Sequence, residues 1–596
     1  MGTATSFSSI QAYLQALLDT PSRILHRAIS TSSDQEELSW SWRHSGAEMR
    51  KTLKWPDLIS LGIGGMVGAG VFVTTGRASS EYAGPACILS YVLAGFCSLL
   101  SALCYTEFAV ELPVAGGAFS YIRVTFGEFP AFLAGANLII DYLLSNAAVA
   151  RSFTPYLSTA LGLPSSGWRI TLSSLPVGFN ELDPLAVFII LFITIVMCYS
   201  TKESSLMNIA LTFLHLLFIM FVIGMGFWKG KWKNLVEAGS PNLHPSGFFP
   251  YGFSGVFNAA AMVYVSYIGY DAVSTMAEEV RNPTDDIPIG VYGSVIIVTL
   301  LYSLMATSMS FLLPYDMVEH NHTFFPLPIF TGRVSDRSRR AILLCVCWHV
   351  DFTRCWGRGL FRYSDVTDCL NAGASEVHLR DRTVRVSTFV VCARGPFLID
   401  TDERVRVNGY CRFRLLVVLI RSDSGLMTAL LACFADVEVL LGLVSIGTLF
   451  VFYMVANALV YRRYASAGAA SRTPTLVFLL SYTLVCIAVA LTWRFARWGR
   501  QLGVGVFATL AVGMVEVFRL TVEEVRKPGV WGVPMMPWVP CASIFLNVFL
   551  IGALADRSFL RFGVVSAIIV VGYLVYGVHA SFDAHHGRSV RVSNEC

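Results

Sequence analysis

Long apolar segments separated by short polar connections make up most of this 596-residue chain. Many of these segments are uncharged over close to the roughly 20 residues that a helix needs to cross a bilayer. Strands of a membrane barrel would instead show short segments of alternating polarity, and the sequence lacks that pattern. The pattern therefore predicts a membrane protein built from many spanning helices.

The predicted spans form two groups, and a short apolar piece at 426–434 precedes the second group. Each span is an apolar run that ends at charged or turn-forming residues. We predict spans at 56–77, 84–108, 119–146, 183–200, 204–227, 252–276 and 288–313, and then at 437–461, 474–493, 503–520, 540–555 and 561–578.

The composition supports a membrane location and excludes several other classes. Hydrophobic residues make up 55% of the chain, charged residues make up 14%, and the mean hydropathy is +0.60. The net charge of +4 is small and spread over loops, so it indicates no nucleic-acid partner. Several of the 14 cysteines lie inside apolar runs, where free cysteine behaves as a small hydrophobe. We therefore expect no disulfide framework.

Basic residues in short loops predict the orientation. Arg43, Arg50, Lys51 and Lys54 precede the first span, so we expect the N-terminal tail, 1–50, to be cytosolic. This tail is polar, lacks the apolar core of a secretory signal, and is expected to form short amphipathic helices. The C-terminal tail, 581–596, is also expected to be cytosolic, which requires two spans between the two groups.

The segment 331–425, between the helices of 51–330 and those of 426–580, has an unusual composition. It holds 16 of the chain's 37 arginines, none of its seven lysines and six of its 14 cysteines. Central Arg and Asp residues make it unsuitable for crossing a bilayer. Three interpretations remain open: an extramembrane domain, a metal site from Cys345, Cys347, His349 and Cys355, or a gene-model error. The spacing fits no zinc pattern, and the lack of periodicity favours the gene-model error, which would replace helix 8 and part of helix 9.

Glycine is concentrated in the middle of the first span. Gly62, Gly64, Gly65, Gly68 and Gly70 lie within PDLISLGIGGMVGAGVFVTTG. Close packing of two helices would need only a pair such as Gly64 and Gly68. The larger number favours a broken helix, in which exposed N–H groups and the positive end of a half-helix capture a carboxylate.

The sixth span is interrupted in a similar way. Ser266, Gly269 and Asp271 break the apolar run GVFNAAAMVYVSYIGYDAVSTM. Unwinding there would free carbonyl groups that accept hydrogen bonds from an ammonium group. The first and sixth spans are matching elements of two inverted five-helix repeats in many transporters, so the pair indicates a substrate site.

Several longer motifs resemble one family. The chain is similar to plant-type cationic amino acid transporters of the amino acid–polyamine–organocation superfamily over roughly 40–330 and 426–580. The resemblance rests on GIGGMVGAGVF, CYTEFAVELPVAGGAFSYI, LIIDYLLSNAAVARSF, TKESSLMN, YIGYDAVSTMAEEVRNPTDDIPIGV and LLGLVSIGTLFVFYMVANALVYRRY. It implies an all-α integral membrane fold with a LeuT-like 5+5 inverted-repeat core, broken helices 1 and 6, and about 14 spans, of which 12 or 13 are readable.

The resemblance also implies a binding site. It places the substrate carboxylate against the first break, at Met66, Val67, Gly68, Ala69 and Gly70. It places the α-amino group against carbonyl groups of the sixth break, at Val265, Ser266, Tyr267 and Ile268. Tyr267 is expected either to contribute to a gate or to be an ordinary packing residue.

Ionisable residues inside the spans are functional candidates because they are costly to bury there. Glu107 and Asp141 match acidic positions that the family links to transport, and a cationic substrate side chain would need such a partner. The alternatives are a solvated helix end for Glu107 and a structural hydrogen bond for Asp141. His215 is the candidate for proton coupling, since histidine titrates near neutral pH, and Lys202 is the rival candidate. The alternative for His215 is a neutral ring bonded to a backbone carbonyl.

We therefore expect a proton-coupled secondary transporter of cationic or neutral amino acids that works by alternating access. No metal, cofactor or enzymatic motif is expected; the partners are the amino acid, protons and the lipid bilayer. An amino-acid sensor or a defective relative is the alternative, because 331–425 offers no eighth helix. The plasma membrane is favoured over the vacuolar membrane, although the sequence shows no recognisable targeting motif.

Overall fold

The computed structural model describes most of the chain outside the unusual segment. The described residues are 6, 9–27, 51–114, 116–161, 165–172, 176, 178–199, 201–236, 247–315, 424–465, 469–496 and 500–582. The three interpretations of 331–425, including the metal site, fall on 331–423 and lie outside these residues. So do 28–50 and 583–596.

Apolar helices build nearly all of the described structure. In chain order they are α1 Ile10–Leu18, α2 Thr20–Arg27, α3 Trp55–Met66, α4 Ala69–Arg77, α5 Cys87–Glu111, α6 Gly117–Phe126, α7 Glu128–Leu161, α8 Pro184–Tyr199, α9 Thr201–Lys229, α10 Lys233–Val236, α11 Gly252–Val263, α12 Asp271–Thr275, α13 Pro283–Leu312, α14 Ser424–Phe434, α15 Val437–Tyr464, α16 Ala469–Phe495, α17 Arg500–Thr521, α18 Trp538–Ala553 and α19 Asp556–Gly572.

A small sheet accompanies the helices. Strands β1 Ile170–Thr171 and β2 Glu181–Leu182 pair antiparallel, with Ile170 opposite Leu182.

Among the described residues, eight helical segments are long and apolar enough to span a membrane, and three more are shorter. In the core, α13 packs along α3 and α5, while α7 packs along α15. The predicted class, a membrane protein built from helices, is thus confirmed.

The third predicted span, 119–146, was placed wrongly. The structure divides it into α6 and α7, and Gly127 lies between them with a φ of +99°. Glycine adopts this left-handed region without steric cost and ends many helices there. The spanning helix therefore begins at Glu128 and continues to Leu161, because the apolar pattern crosses the turn without interruption.

The first span is broken where its glycines accumulate. Helix α3 ends at Met66, and Val67 and Gly68 are extended, with φ/ψ of −69°/104° and −156°/−161°. Helix α4 then begins at Ala69. Its first N–H groups have no acceptor within their own helix. The broken first helix predicted from the sequence is therefore present.

The sixth span, like the first, is broken near its middle. Helix α11 ends at Val263, and a 3₁₀ turn covers Tyr264–Tyr267. Ile268 is extended, and Gly269 has a φ of +139°, which favours glycine over any residue with a side chain. Helix α12 then resumes the span at Asp271.

The two ends of the described chain meet on one face of the molecule. The Tyr13 hydroxyl of α1 donates to the carbonyl oxygen of Val575, just beyond α19, at 2.9 Å. We call this side the terminal face. Both ends of the described chain therefore lie on the same side of the protein.

Candidate substrate-binding site

The two broken helices touch each other at their breaks. A Cβ added to Gly65 would lie 2.7 Å from the Gly269 carbonyl oxygen, and one added to Gly70 would lie 3.2 Å from the Ser266 Cα. A real Cβ atom could not lie 2.7 Å from a backbone oxygen unless one of the two backbones shifted. Gly65 and Gly269 thus let the two backbones meet, and the breaks form one polar region inside an apolar bundle.

The first break presents hydrogen-bond donors. Met66 and Val67 are buried, and Gly68 precedes the N-terminus of α4. The first N–H groups of a helix lack intrahelical acceptors and carry the positive end of the helix dipole. Ala69 and Gly70 occupy these first positions. An anion such as a carboxylate would therefore be stabilised here without a charged side chain.

The sixth break presents carbonyl oxygens. The Val265 carbonyl accepts the Ile268 N–H at 3.2 Å, and the Ser266 carbonyl accepts the Tyr302 hydroxyl at 3.2 Å. Each carbonyl oxygen has two lone pairs, so one hydrogen bond does not saturate it. The region between the breaks thus combines donors on one side with acceptors on the other, which suits a zwitterion.

Tyr302 of α13 joins the two breaks and was not among the predicted site residues. Its hydroxyl lies 2.8 Å from the Met66 carbonyl oxygen and 3.2 Å from that of Ser266. The side chain is fully buried. A single tyrosine in an apolar run usually indicates packing, so the sequence carries no signal that this hydroxyl reaches both breaks.

The side chains of Ser266 and Tyr267 contact neighbouring helices. The Ser266 hydroxyl lies 3.1 Å from that of Thr74 in α4, which lies 3.2 Å from the Tyr91 hydroxyl in α5. The Tyr267 hydroxyl donates to the Tyr91 carbonyl at 2.7 Å. Tyr267 is therefore held against α5, a contact that fits the packing alternative better than a moving gate.

Asp141 lies on α7, facing α15. The Thr448 hydroxyl donates to its Oδ2 at 3.2 Å, and a Cβ added to Gly447 would lie 2.8 Å from its Cγ. The side chain is buried. Across the described residues, no lysine, arginine or histidine forms an ion pair with it. A buried carboxylate without a cation is expensive, so this position suits a cation that arrives and leaves.

Asp271 connects the sixth break to α7. Its Oδ1 accepts the Gly269 N–H and its Oδ2 accepts the Tyr142 hydroxyl, both at 3.1 Å. Because Tyr142 follows Asp141 in sequence, α7 contacts both α12 and α15 at this level. The Asp271 carboxylate thus caps the backbone N–H of Gly269 inside the sixth break.

Glu107 has a different environment from that of the acidic residues near the breaks. Arg463 at the end of α15 donates to both of its oxygens, with Nε–Oε1 at 2.5 Å and Nη2–Oε2 at 2.8 Å. The Val533 N–H donates to Oε2 at 2.7 Å. Arg463 also pairs with Glu524. The structure therefore brings Glu107 together with a fixed arginine, and its predicted contact with substrate stays a prediction.

The two coupling candidates lie on α9. The buried His215 ring stacks near Phe72 of α4, with centroids 6.4 Å apart and an interplanar angle of 24°. Lys202 lies in the first turn of α9, and its side chain is outside the described part. Within the described residues, no group of three or more His, Cys, Asp or Glu has the arrangement of a metal site.

Comparison with known proteins identifies the family. The family model described as "Amino acid permease" matches residues 53–348, and the model "C-terminus of AA_permease" matches 531–581. Among solved structures, a Na+-coupled sialic acid symporter is similar, at 13% identity over 87% of this chain and 98% of its own, with a TM-score of 0.44.

Curated relatives match along almost the whole chain. Cationic amino acid transporter 6, chloroplastic, of Arabidopsis thaliana is 51% identical over 100% of this chain and 97% of its own. Cationic amino acid transporter 7, chloroplastic, is 51% identical over 97% and 94%, and cationic amino acid transporter 1 is 36% identical over 97% and 91%, both from the same plant.

These names correct the expected location. The two relatives at 51% identity are named chloroplastic, and other relatives are named vacuolar or mitochondrial. The preference for the plasma membrane is therefore wrong. The error has a physical reason: targeting signals are read by receptors, whereas hydropathy reports only that helices enter a bilayer.

The comparisons confirm the predicted LeuT-like helical class and show a transporter rather than an enzyme. The chain belongs to the plant cationic amino acid transporters of the amino acid–polyamine–organocation superfamily.

Proposed function

We propose that this protein is a proton-coupled secondary transporter that moves cationic amino acids such as arginine and lysine by alternating access. The observations that carry the proposal are the meeting of two helix breaks and the buried Asp141, which forms no ion pair with a described residue. The sixth break is linked to α7 next to Asp141, because Asp271 accepts a hydrogen bond from the hydroxyl of Tyr142. Relatives with 51% identity are named cationic amino acid transporters, which supports the same substrate class.

The backbone would recognise the part that all amino acids share. Helix α4 directs its first N–H groups into the first break, where the substrate carboxylate would bind. Carbonyl oxygens of Val265–Ile268 would accept hydrogen bonds from the α-amino group. Tyr302 holds the two breaks together through Met66 and Ser266, so the donors and acceptors stay at a fixed separation.

Asp141 would recognise the part that distinguishes arginine and lysine. Its oxygen Oδ2 accepts only the Thr448 hydroxyl among the described hydrogen bonds. A carboxylate has about four lone-pair positions, which leaves room for an ammonium or guanidinium group. Pairing of that group with Asp141 would offset the cost of burying both charges.

Coupling to protons would involve His215, with Lys202 as the rival. The His215 ring stacks near Phe72, three residues after the start of α4. A charge on this ring would therefore act on the half-helix that binds the substrate carboxylate. Histidine changes charge in the range where physiological proton gradients operate.

The test uses the full chain in proteoliposomes with an imposed pH gradient. Uptake of labelled arginine is compared with uptake of citrulline, which has the same shape as arginine without its charge. We expect arginine uptake to exceed citrulline uptake and to rise when the outside is made acidic. Equal uptake of both would contradict the cationic preference, and arginine binding without uptake would support the sensor alternative.

His215→Ala separates coupling from transport. We expect arginine uptake by this variant to lose its dependence on pH, because the proposed titrating group is absent. The matched control is His579→Ala, a second buried histidine that lies at the terminal face. It should keep the pH profile. An unchanged profile for His215→Ala would exclude this histidine and direct attention to Lys202.

A further inference from the structure

The N-terminal helices are packed against the transporter rather than extending away from it. The Ser9 hydroxyl accepts the Ala12 N–H at 3.1 Å and so caps α1. Ala16, in the second half of α1, is buried. The Tyr13 hydroxyl reaches the Val575 carbonyl. One side of α1 is therefore fixed to the end of the last membrane span.

Polar contacts of α2 also hold the N-terminal helices against the end of the last membrane span. Arg27 donates to Glu128, the first residue of α7, at 2.8 Å and to Ser581 at 2.7 Å. Thr20 and Arg23 each lie 3.3 Å from a ring nitrogen of His579. These contacts join the N-terminal helices to both α7 and the end of the last span. Together with the Tyr13 contact and the buried Ala16, they fix the rotation of α1 about its axis.

This rotation directs an apolar stripe outward. Ile10, Leu14 and Leu18 are 81%, 55% and 82% exposed, and their spacing of four residues places them on one face of α1. Gln15 is also exposed, about 100° around the helix from Leu14. Helix α1 therefore has a face toward the protein, an apolar face and a polar face.

The surface beside this stripe indicates what covers it. Val571 and Val575 of the last span are 56% and 43% exposed, as expected for residues that face lipid. Tyr13 links α1 directly to Val575, so the stripe continues a lipid-facing surface at its edge. A helix with separate apolar and polar sides at such an edge is typical of one that lies in the membrane interface.

We propose that Ile10, Leu14 and Leu18 form an interfacial anchor, with the lipids of the leaflet on the terminal face as their partner. Burial of these side chains at the boundary of headgroups and acyl chains holds α1 parallel to the membrane. The anchor keeps Arg27 against Glu128, at the start of the helix that carries Asp141. Helix α1 is then part of the membrane-embedded transporter and not a free tail.

Photo-cross-linking tests the proposed partner. The full chain carries p-benzoyl-phenylalanine at Leu14, or at Gln15 as the matched control, in vesicles of phosphatidylcholine and phosphatidylglycerol. We expect lipid adducts at Leu14 to exceed those at Gln15 by at least about fivefold, because only Leu14 would lie among acyl chains. Equal lipid labelling at both positions would overturn the proposal, and so would cross-links from Leu14 to a second copy of the chain.

A second measurement does not depend on the cross-linker. The pair Leu14→Ser and Gln15→Ser is compared for the thermal unfolding of the protein in the same vesicles and in detergent. We expect Leu14→Ser to lower the unfolding temperature more in vesicles than Gln15→Ser does, since only the former removes apolar contact with lipid. Identical shifts for the two variants would contradict the anchor.

Discussion

Two buried acidic residues, Glu107 and Asp141, have opposite environments in this protein. The two residues are 1% and 5% exposed, and both lie in apolar helices. Glu107 receives two hydrogen bonds from Arg463 and one from the Val533 backbone. Asp141 receives a hydroxyl hydrogen bond from Thr448. Glu107 thus has a fixed cation, whereas no described cation pairs with Asp141, and this difference is what the proposed role of Asp141 in binding a cationic substrate requires.

The Glu107 cluster connects parts of the chain that are far apart in sequence. Glu107 lies four residues before the end of α5, and Arg463 lies in the last turn of α15. The Val525 and Arg526 N–H groups donate to the Arg463 carbonyl at 3.1 and 3.0 Å. The connection that follows α17 is thus attached to α5 and α15 through one arginine.

Removal of Arg463 gives the largest expected effect. Arg463→Ala would leave Glu107 buried without its cation, and breaking a buried ion pair typically costs about 3–5 kcal/mol. We expect the purified variant to unfold at a clearly lower temperature, or to yield little folded protein. Thermal unfolding in detergent, followed by size-exclusion chromatography, measures this.

Arg519→Ala is the matched control for Arg463→Ala. Arg519 pairs with Glu516 on the exposed side of α17, and exposed ion pairs contribute little to stability. Its unfolding temperature should therefore stay close to that of the parent. If Arg463→Ala behaves like this control, the Glu107 cluster does not stabilise the fold, and a direct role for Glu107 in transport gains support.

Asp141→Asn is expected to act on transport more than on folding. A hydrogen bond to a charged group contributes about 1.5–3 kcal/mol, which corresponds to a loss of roughly 10- to 150-fold in arginine uptake at low concentration. Citrulline uptake should change much less, because citrulline has no charge to pair. The ratio of the two initial rates in proteoliposomes is the readout.

Glu107→Gln makes the same chemical change at the other buried carboxylate. We expect it to lower the unfolding temperature and to reduce uptake of arginine and citrulline by the same factor. A selective loss of arginine uptake in this variant, together with an equal loss of both substrates in Asp141→Asn, would reverse the comparison between the two residues.

The sequence predicted local features of the fold well because they depend on local chemistry. Accumulated glycines indicated the break between Met66 and Ala69, and Ser266 with Gly269 indicated the second break. Gly127 was overlooked, since the apolar pattern continues across its turn. Hydropathy reports burial, and a single glycine changes the backbone direction without changing burial.

The partners of the site residues were less predictable. Arg463 lies 356 positions after Glu107 in the chain, and Tyr302 donates to carbonyl groups on two other spans. No pattern within one helix reports which residues a neighbouring helix brings close. The cost of burying Glu107 was readable from its position, whereas the group that offsets that cost appears only when α5 and α15 are packed together.

Thr448→Val gives the smallest expected effect and tests how Asp141 is held. Valine keeps the shape of threonine and removes the hydroxyl that donates to Oδ2 at 3.2 Å. Loss of one hydrogen bond changes stability by about 0.5–1.5 kcal/mol, so a modest fall in arginine uptake at low concentration is expected. Thr448→Ser, which retains a hydroxyl, should preserve uptake. If Thr448→Val reduces arginine uptake as strongly as Asp141→Asn, then the orientation of this carboxylate, and not its charge alone, sets the preference for cationic substrates.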